Sequence, residues 1–175
     1  MDAAALRDLQ APLKQRYRDD PGSARAPMRA EAGFADPGIT CTVQTWAGPV
    51  RAGLHPSTGG DGGDACSGDM LLQALVACAG VTMRSVATAM GVGIRAARLS
   101  ARGDMDARGT LGVSREVPVG LGEITVDAEL DTDADDATLA KLGELTERYC
   151  VVAQSLARPP HLVVRRAVPA QGVAR

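Results

Sequence analysis

The thiol and imidazole groups of this chain are four cysteines, Cys41, Cys66, Cys78 and Cys150, and two histidines, His55 and His161. None of them falls in a CxxC or HxxxH pairing, so the spacing offers no structural zinc site. Twelve residues separate Cys66 from Cys78, which on one helix is about 18 Å of rise. A disulfide needs Cα atoms within about 7 Å, so these two cannot bridge within one chain. Cys66, placed just before a helix start, is either a dipole-activated thiol that senses oxidants alone or a loop cysteine. Cys41 alternates with apolar strand neighbours and reads as packing. Cys78 lies mid-helix in Leu75-Val76-Ala77-Cys78-Ala79-Gly80-Val81. Burial alone would raise its pKa and leave it an inert core residue. A chemical role requires access to substrate, a cation to hold the thiolate and a second thiol. Cys150, at an expected helix break, is placed to be that thiol. The run Gly59-Gly60-Asp61-Gly62-Gly63-Asp64 lacks the Lys-Ser/Thr of a phosphate-binding loop and is not one of a series of calcium-binding repeats. It reads as a flexible loop entering a helix.

The elements that must position these groups follow from periodicity. An amphipathic helix is expected over Ala4 to Asp20, interrupted by Pro12 and ended by Pro21-Gly22. Strands over Pro27 to Phe34, Ile39 to Trp46 and Val50 to Leu54, separated by Asp36-Pro37-Gly38 and Ala47-Gly48-Pro49, predict an antiparallel meander. Ser67 to Met90 predicts a long helix, with Ser67 as N-cap, Asp69 in the first turn and Gly91 as the stop. It is apolar nearly all round until Arg84, the mark of a buried central helix. Ile94 to Asp104 and Gly122 to Leu130 read as neighbouring hairpin strands. Asp135 or Asp136 caps a helix through Arg148, with Leu139, Leu142 and Leu145 as its stripe and Gly143 as a weak point. A short helix over Val151 to Leu156 and a last strand over His161 to Val168 complete an α+β order: β-meander, long buried central helix, β-hairpin, second helix, final strand. Residues 1–22 form an N-terminal helical extension and 23–175 a single domain.

The stretch Asp69-Met70-Leu71-Leu72-Gln73-Ala74-Leu75-Val76-Ala77-Cys78-Ala79-Gly80-Val81-Thr82-Met83-Arg84 resembles the central-helix signature of the OsmC/Ohr family of osmotically inducible and organic hydroperoxide resistance proteins. Cys150-Val151-Val152-Ala153-Gln154-Ser155-Leu156 is similar to that family's second cysteine motif, a Cys-Pro-Val followed by Leu, with Val151 where the family usually has Pro. The resemblance runs from about Arg29 to Val164. It implies an α+β fold that assembles as an intertwined homodimer with the long helices in the middle. It further implies that Cys78 is the peroxidatic cysteine and Cys150 the resolving one, which together reduce an organic hydroperoxide and form a disulfide. No metal or flavin is implied. The implied reductant is an external dithiol, typically a lipoylated protein. The family's acidic residue, usually Glu, corresponds to Asp69. Its early-strand arginine has no match in Ala32-Gly33-Phe34-Ala35, and Arg29, ahead of Arg51, is the expected substitute. The competing class is a non-catalytic homodimer of the same fold that binds a small hydrophobic ligand, with cysteines that only pack.

Composition bounds these readings. With 175 residues the chain suits one domain and buries enough surface to fold without staples. Its 19 Lys+Arg against 21 Asp+Glu leave a net charge of -2, without the basic excess of a nucleic-acid binder. Only 2% of residues are aromatic, so the core is built from small aliphatic side chains. Met1 to Asp8 carries no basic segment followed by an apolar run, and the longest apolar stretch of the central helix, Ala74 to Val81, is short for a membrane span. A cytoplasmic protein with reduced thiols and no membrane partner is expected.

Overall fold

A computed structural model describes residues 1–167 of the chain. In chain order the elements are α1 (Ala3–Asp19), β1 (Glu31–Gly33), β2 (Thr40–Thr45), β3 (Gly48–Gly53), β4 (Ala65–Cys66), α2 (Ser67–Met90), β5 (Ala96–Arg102), α3 (Ala107–Thr110), β6 (Thr125–Asp131), α4 (Asp136–Tyr149), α5 (Val151–Gln154) and β7 (His161–Arg166). Two compact units divide them: residues 1–12, 75–102 and 124 onward form one, and residues 13–74 with 103–123 form the other.

In the first unit, β5, β6 and β7 make a three-stranded sheet, β5 antiparallel and β7 parallel to β6. The expected hairpin neighbours do pair, but residues 103–124 stand between them and carry α3, a helix that the sequence pattern did not suggest. One sheet face is apolar. Val126, Ala128 and Leu130 of β6 are buried there, and their register partners Leu162 and Val164 of β7 share that face. Helices α2 and α4 cover it. Gly80 of α2 comes so near β5 that an added Cβ would lie 3.9 Å from Leu99. Gly143 of α4 is buried, and a Cβ there would sit 3.2 Å from Val164. Gly143 is therefore a close-packing position between helix and strand rather than a weak point. Asp135 caps α4 by accepting from the Thr138 N–H, an interaction worth about 1 kcal/mol. The last strand ends at Arg166; its expected end, Val168, lies outside the described residues.

Helix α2 begins and ends where the sequence predicts, with Gly91 in the left-handed region at φ 71°. The fully buried stripe is Leu75, Ala79, Met83 and Ala87, at the i, i+4 spacing of one helix face. The opposite side leaves Val81 uncovered, with 75% of its surface exposed, and Leu71, one turn before the stripe, is exposed at 39%. By length and composition alone α2 is also apolar enough to cross a membrane, and four of its residues are buried in the fold.

In the second unit β1, β2 and β3 form the expected antiparallel meander, and β4 adds a short parallel strand that pairs Ala65 and Cys66 with Ala52 and Gly53. The glycine loop ahead of it is built, not slack. His55 caps a 3-10 turn over Pro56–Thr58, Gly59 sits at φ 96°, and a Cβ on Gly60 would fall 1.7 Å from the Leu54 carbonyl oxygen. Helix α1 continues through Pro12, which was expected to interrupt it. No residue of α1 is buried, so the carbonyl that loses its partner to the proline ring can turn to water.

Candidate active site

Cys78 lies on the fourth turn of α2 and is half-buried; Cys150 sits between α4 and α5 and is 1% exposed. The break that holds Cys150 is local. Its N–H closes α4 on the Thr146 carbonyl at 2.9 Å, and its own carbonyl accepts from Gln154 at 3.0 Å to open α5. Because Cys150 has an extended backbone, φ -75° and ψ 104°, α5 leaves at a new angle and its first N–H groups have no partner inside the helix. Those of Val151 and Val152 favour the Cys78 thiolate. The Cys150 thiol and the Thr82 hydroxyl, one turn further along α2, favour it as well.

The two thiols are driven apart in acidity. Burial pushes the Cys78 thiol up, but the Val152 N–H, the Cys150 thiol, the Thr82 hydroxyl and the Val151 N–H together bring it below its ordinary value. Burial pushes the Cys150 thiol up; the Ala153 N–H opposes this, and the hydrogen bond to Cys78 and the Cys78 charge add to it. The outcome is that Cys78 is the more acidic of the two thiols. That arrangement suits nucleophilic attack by Cys78 followed by resolution by Cys150. Val151 and Val81, flanking Cys78 in space and along the helix, expose 57% and 75% of their surface, so the approach to the sulfur is apolar.

Cys78 and Cys150, the two cysteines singled out from the sequence, are thus together. The other two expected site residues, Asp69 and Arg29, belong to the second unit and are exposed. Asp69 lines a cleft of about 540 Å³ with Cys66, His55, Asp104 and Met105. There the His55 Nδ1 is engaged by the Ser57 N–H at 3.1 Å and the Ser57 hydroxyl at 2.7 Å. Arg29 precedes β1 rather than lying on it, because pairing with β2 starts only at Glu31. Arg51, the other candidate cation, is on β3 and joined to Asp64 at 2.5 Å. Sequence reasoning missed Thr82 and the two valine N–H groups. The first was findable as Cys78 plus four on a helix; the others depend on where the chain break falls.

The family model described as OsmC-like protein matches residues 60–165, which include α2 and both cysteines. Comparison with curated proteins gives no match. Among solved structures, the OsmC-like protein of Mycoplasma pneumoniae is similar with a TM-score of 0.64 at 15% identity, over 82% of this chain and 100% of that one. The organic hydroperoxide resistance protein OsmC of Legionella pneumophila has a TM-score of 0.62 at 16% identity, over 82% and 100%. OhrB of Bacillus subtilis, also an organic hydroperoxide resistance protein, has a TM-score of 0.55 at 14% identity, over 81% and 99%. At such identities the likeness is one of fold. Together with the match over more than half its length, it shows that this chain belongs to the OsmC-like protein family.

Proposed function

We propose that the protein reduces organic hydroperoxides with Cys78 as the attacking thiolate and Cys150 as the resolving thiol. The observation that carries this reading is the coupling of two thiols of opposite tendency, the Cys78 thiol lowered and the buried Cys150 thiol raised. In the first step the Cys78 thiolate attacks the terminal peroxide oxygen, the O–O bond breaks, and the alkoxide takes a proton to leave as an alcohol. Cys78 is then a sulfenic acid. In the second step the Cys150 sulfur, as thiolate, attacks the Cys78 sulfur, the S–O bond breaks, and the hydroxyl leaves with a proton as water. Two thiols supply the two electrons, and an external dithiol, of the kind a lipoylated protein carries, restores them. An alkyl tail against Val151 and Val81 gains about 0.8 kcal/mol per buried methylene, which favours organic peroxides over hydrogen peroxide.

Arg29 remains the proposed cation and Asp69 its orienting carboxylate. Arg29→Met is expected to slow the reaction of Cys78 with cumene hydroperoxide at least about tenfold. An unchanged rate assigns the thiolate's stabilisation to the groups on α2, Cys150 and α5 that lower the Cys78 thiol. Assembly as a homodimer belongs to the same proposal, because the exposed apolar side of α2 otherwise faces water. Light scattering at micromolar concentration is expected to give the mass of two chains; a monomer contradicts it.

A second reading, a non-catalytic module for a small hydrophobic ligand, is favoured by a cleft of about 490 Å³ in the first unit, lined by Leu6, Val81, Met83, Ile94 and Leu99. Peroxide consumption separates the two. The peroxidase reading expects Cys78→Ser to abolish consumption while Cys41→Ser and Cys66→Ser leave it intact. If the native protein consumes no hydroperoxide, or Cys78→Ser consumes it as fast, the ligand-binding reading replaces it.

A further inference from the structure

Cys150 sits at the joint between α4 and α5, and Gln154 fastens that joint. The Cys150 N–H makes the last bond of α4, to the Thr146 carbonyl, so the carbonyls of residues 147–150 have no partner inside that helix. Gln154 fills two of them from the end of α5. Its backbone N–H donates to the Cys150 carbonyl at 3.0 Å, and its side-chain amide reaches back seven residues to donate to the Glu147 carbonyl at 2.9 Å. Glu147 is in turn tied to the sheet, because its carboxylate Oε1 accepts the Leu162 N–H of β7 at 2.8 Å. Two side chains thus link α5 to α4 and α4 to β7, around a cysteine that is itself buried. An open carbonyl at a helix C-terminus also carries the negative end of the dipole, which favours a donor there.

We infer that Gln154 is a positioning residue of the cysteine pair: its amide, bonded to the Glu147 carbonyl, sets the angle at which α5 leaves α4 and so holds the Cys150 sulfur in place for Cys78. The purpose of this rests on the peroxidase reading; the test does not. Two thiols form a disulfide in proportion to how often the fold brings their sulfurs into bonding geometry, which is an effective concentration. Cys150 has α4 on one side and α5 on the other, so a joint that swings spreads its sulfur over more positions and lowers that concentration. Gln154 is exposed, so removing its amide loosens the joint without opening a cavity in the core.

The test equilibrates the full chain in buffers of reduced and oxidised glutathione at one pH, with the disulfide between Cys78 and Cys150 quantified by mass spectrometry after the remaining thiols are alkylated. One protein thiolate attacks glutathione disulfide and releases one glutathione, and the other then displaces the second, so the disulfide formed in the protein replaces the one consumed. Gln154→Met keeps the length and removes the donor, whereas Gln154→Lys keeps a donor suited to a carbonyl at a helix end. Loss of one exposed hydrogen bond is expected to lower the effective concentration of the pair about fivefold in Gln154→Met. Gln154→Lys is expected to stay within about twofold of the native protein. A Gln154→Met titration that superimposes on the native one overturns the inference, even if that variant melts earlier, because a merely structural brace would move the melting temperature alone. A Gln154→Lys loss equal to that of Gln154→Met overturns it too, as does a native protein that forms no disulfide between Cys78 and Cys150 in oxidised glutathione. A native pair that forms this disulfide yet stays reduced under cumene hydroperoxide would sink the peroxidase reading while leaving the Gln154 comparison intact.

Discussion

Replacing Val151 by proline removes one thiolate donor with little other disturbance. Val151 is the first residue of α5, where its N–H has no acceptor inside the helix and favours the Cys78 thiolate. Proline is favoured at a first helical position, and Cys150 before it already has the extended backbone a pre-proline residue adopts. The fold is therefore expected to survive, with a gain of about 0.4–1 kcal/mol from the stiffer unfolded chain. The cost falls on the sulfur. A hydrogen bond to a charged group contributes about 1.5–3 kcal/mol. The Val151 bond is the smallest of the four influences that favour the thiolate, so the low end applies. About 1.5 kcal/mol is roughly tenfold in the thiolate population at neutral pH. Iodoacetamide alkylation of Cys78 against pH, with the 240 nm thiolate absorbance as a second readout, should show that loss and an upward midpoint, while the melting temperature holds or rises. A Val151→Pro protein that melts normally and alkylates like the native one would refute the claim that backbone N–H groups hold this thiolate.

Other outcomes follow from the same geometry. Cys150→Ser replaces the buried thiol donor, and after peroxide treatment Cys78 should be trapped as the sulfenic acid, detectable by dimedone labelling, with no internal disulfide. The pH dependence of stability carries two opposite signs: the Cys78 contribution is present above about pH 8.5 and lost as pH falls through its lowered folded value, and the Cys150 contribution is present below about pH 8.5 and lost as pH rises through its raised one. Cys78→Ser leaves only the second, so its urea midpoint should fall toward alkaline pH relative to the Cys78→Ser/Cys150→Ser double variant; a rise would contradict the assignment. Leu142→Ala empties a fully buried position under the sheet and should cost about 2–5 kcal/mol by denaturant titration.

The long helix was legible in the sequence because its limits are written locally, in Ser67, Asp69 and the Gly91 stop, and its interior is unbroken. The same is true of α4, whose Asp135 cap and leucine spacing are local signals. The cysteine pair was legible through motif resemblance alone, since 72 residues of chain separate the two sulfurs and no periodicity relates them. What stayed hidden is tertiary. Residues 103–124 lack any strong period, so α3 went unseen, and β4 is two residues paired in parallel to the strand before it. Gly143 looked like a defect until Val164 was found against it. The donors from Val151 and Val152 are backbone groups, which residue types do not announce; Val151 stood out only as a missing proline, and the missing proline is what supplies an N–H. Arg29 was expected on a strand that in fact begins two residues later.

The most direct test of Cys78 and Cys150 as a redox pair is thiol mapping after one equivalent of cumene hydroperoxide is added to the reduced protein. The account predicts the loss of two thiols per chain and one disulfide-linked peptide joining Cys78 to Cys150, with Cys41 and Cys66 still alkylatable. A disulfide that contains Cys66, or four thiols left intact, would contradict it.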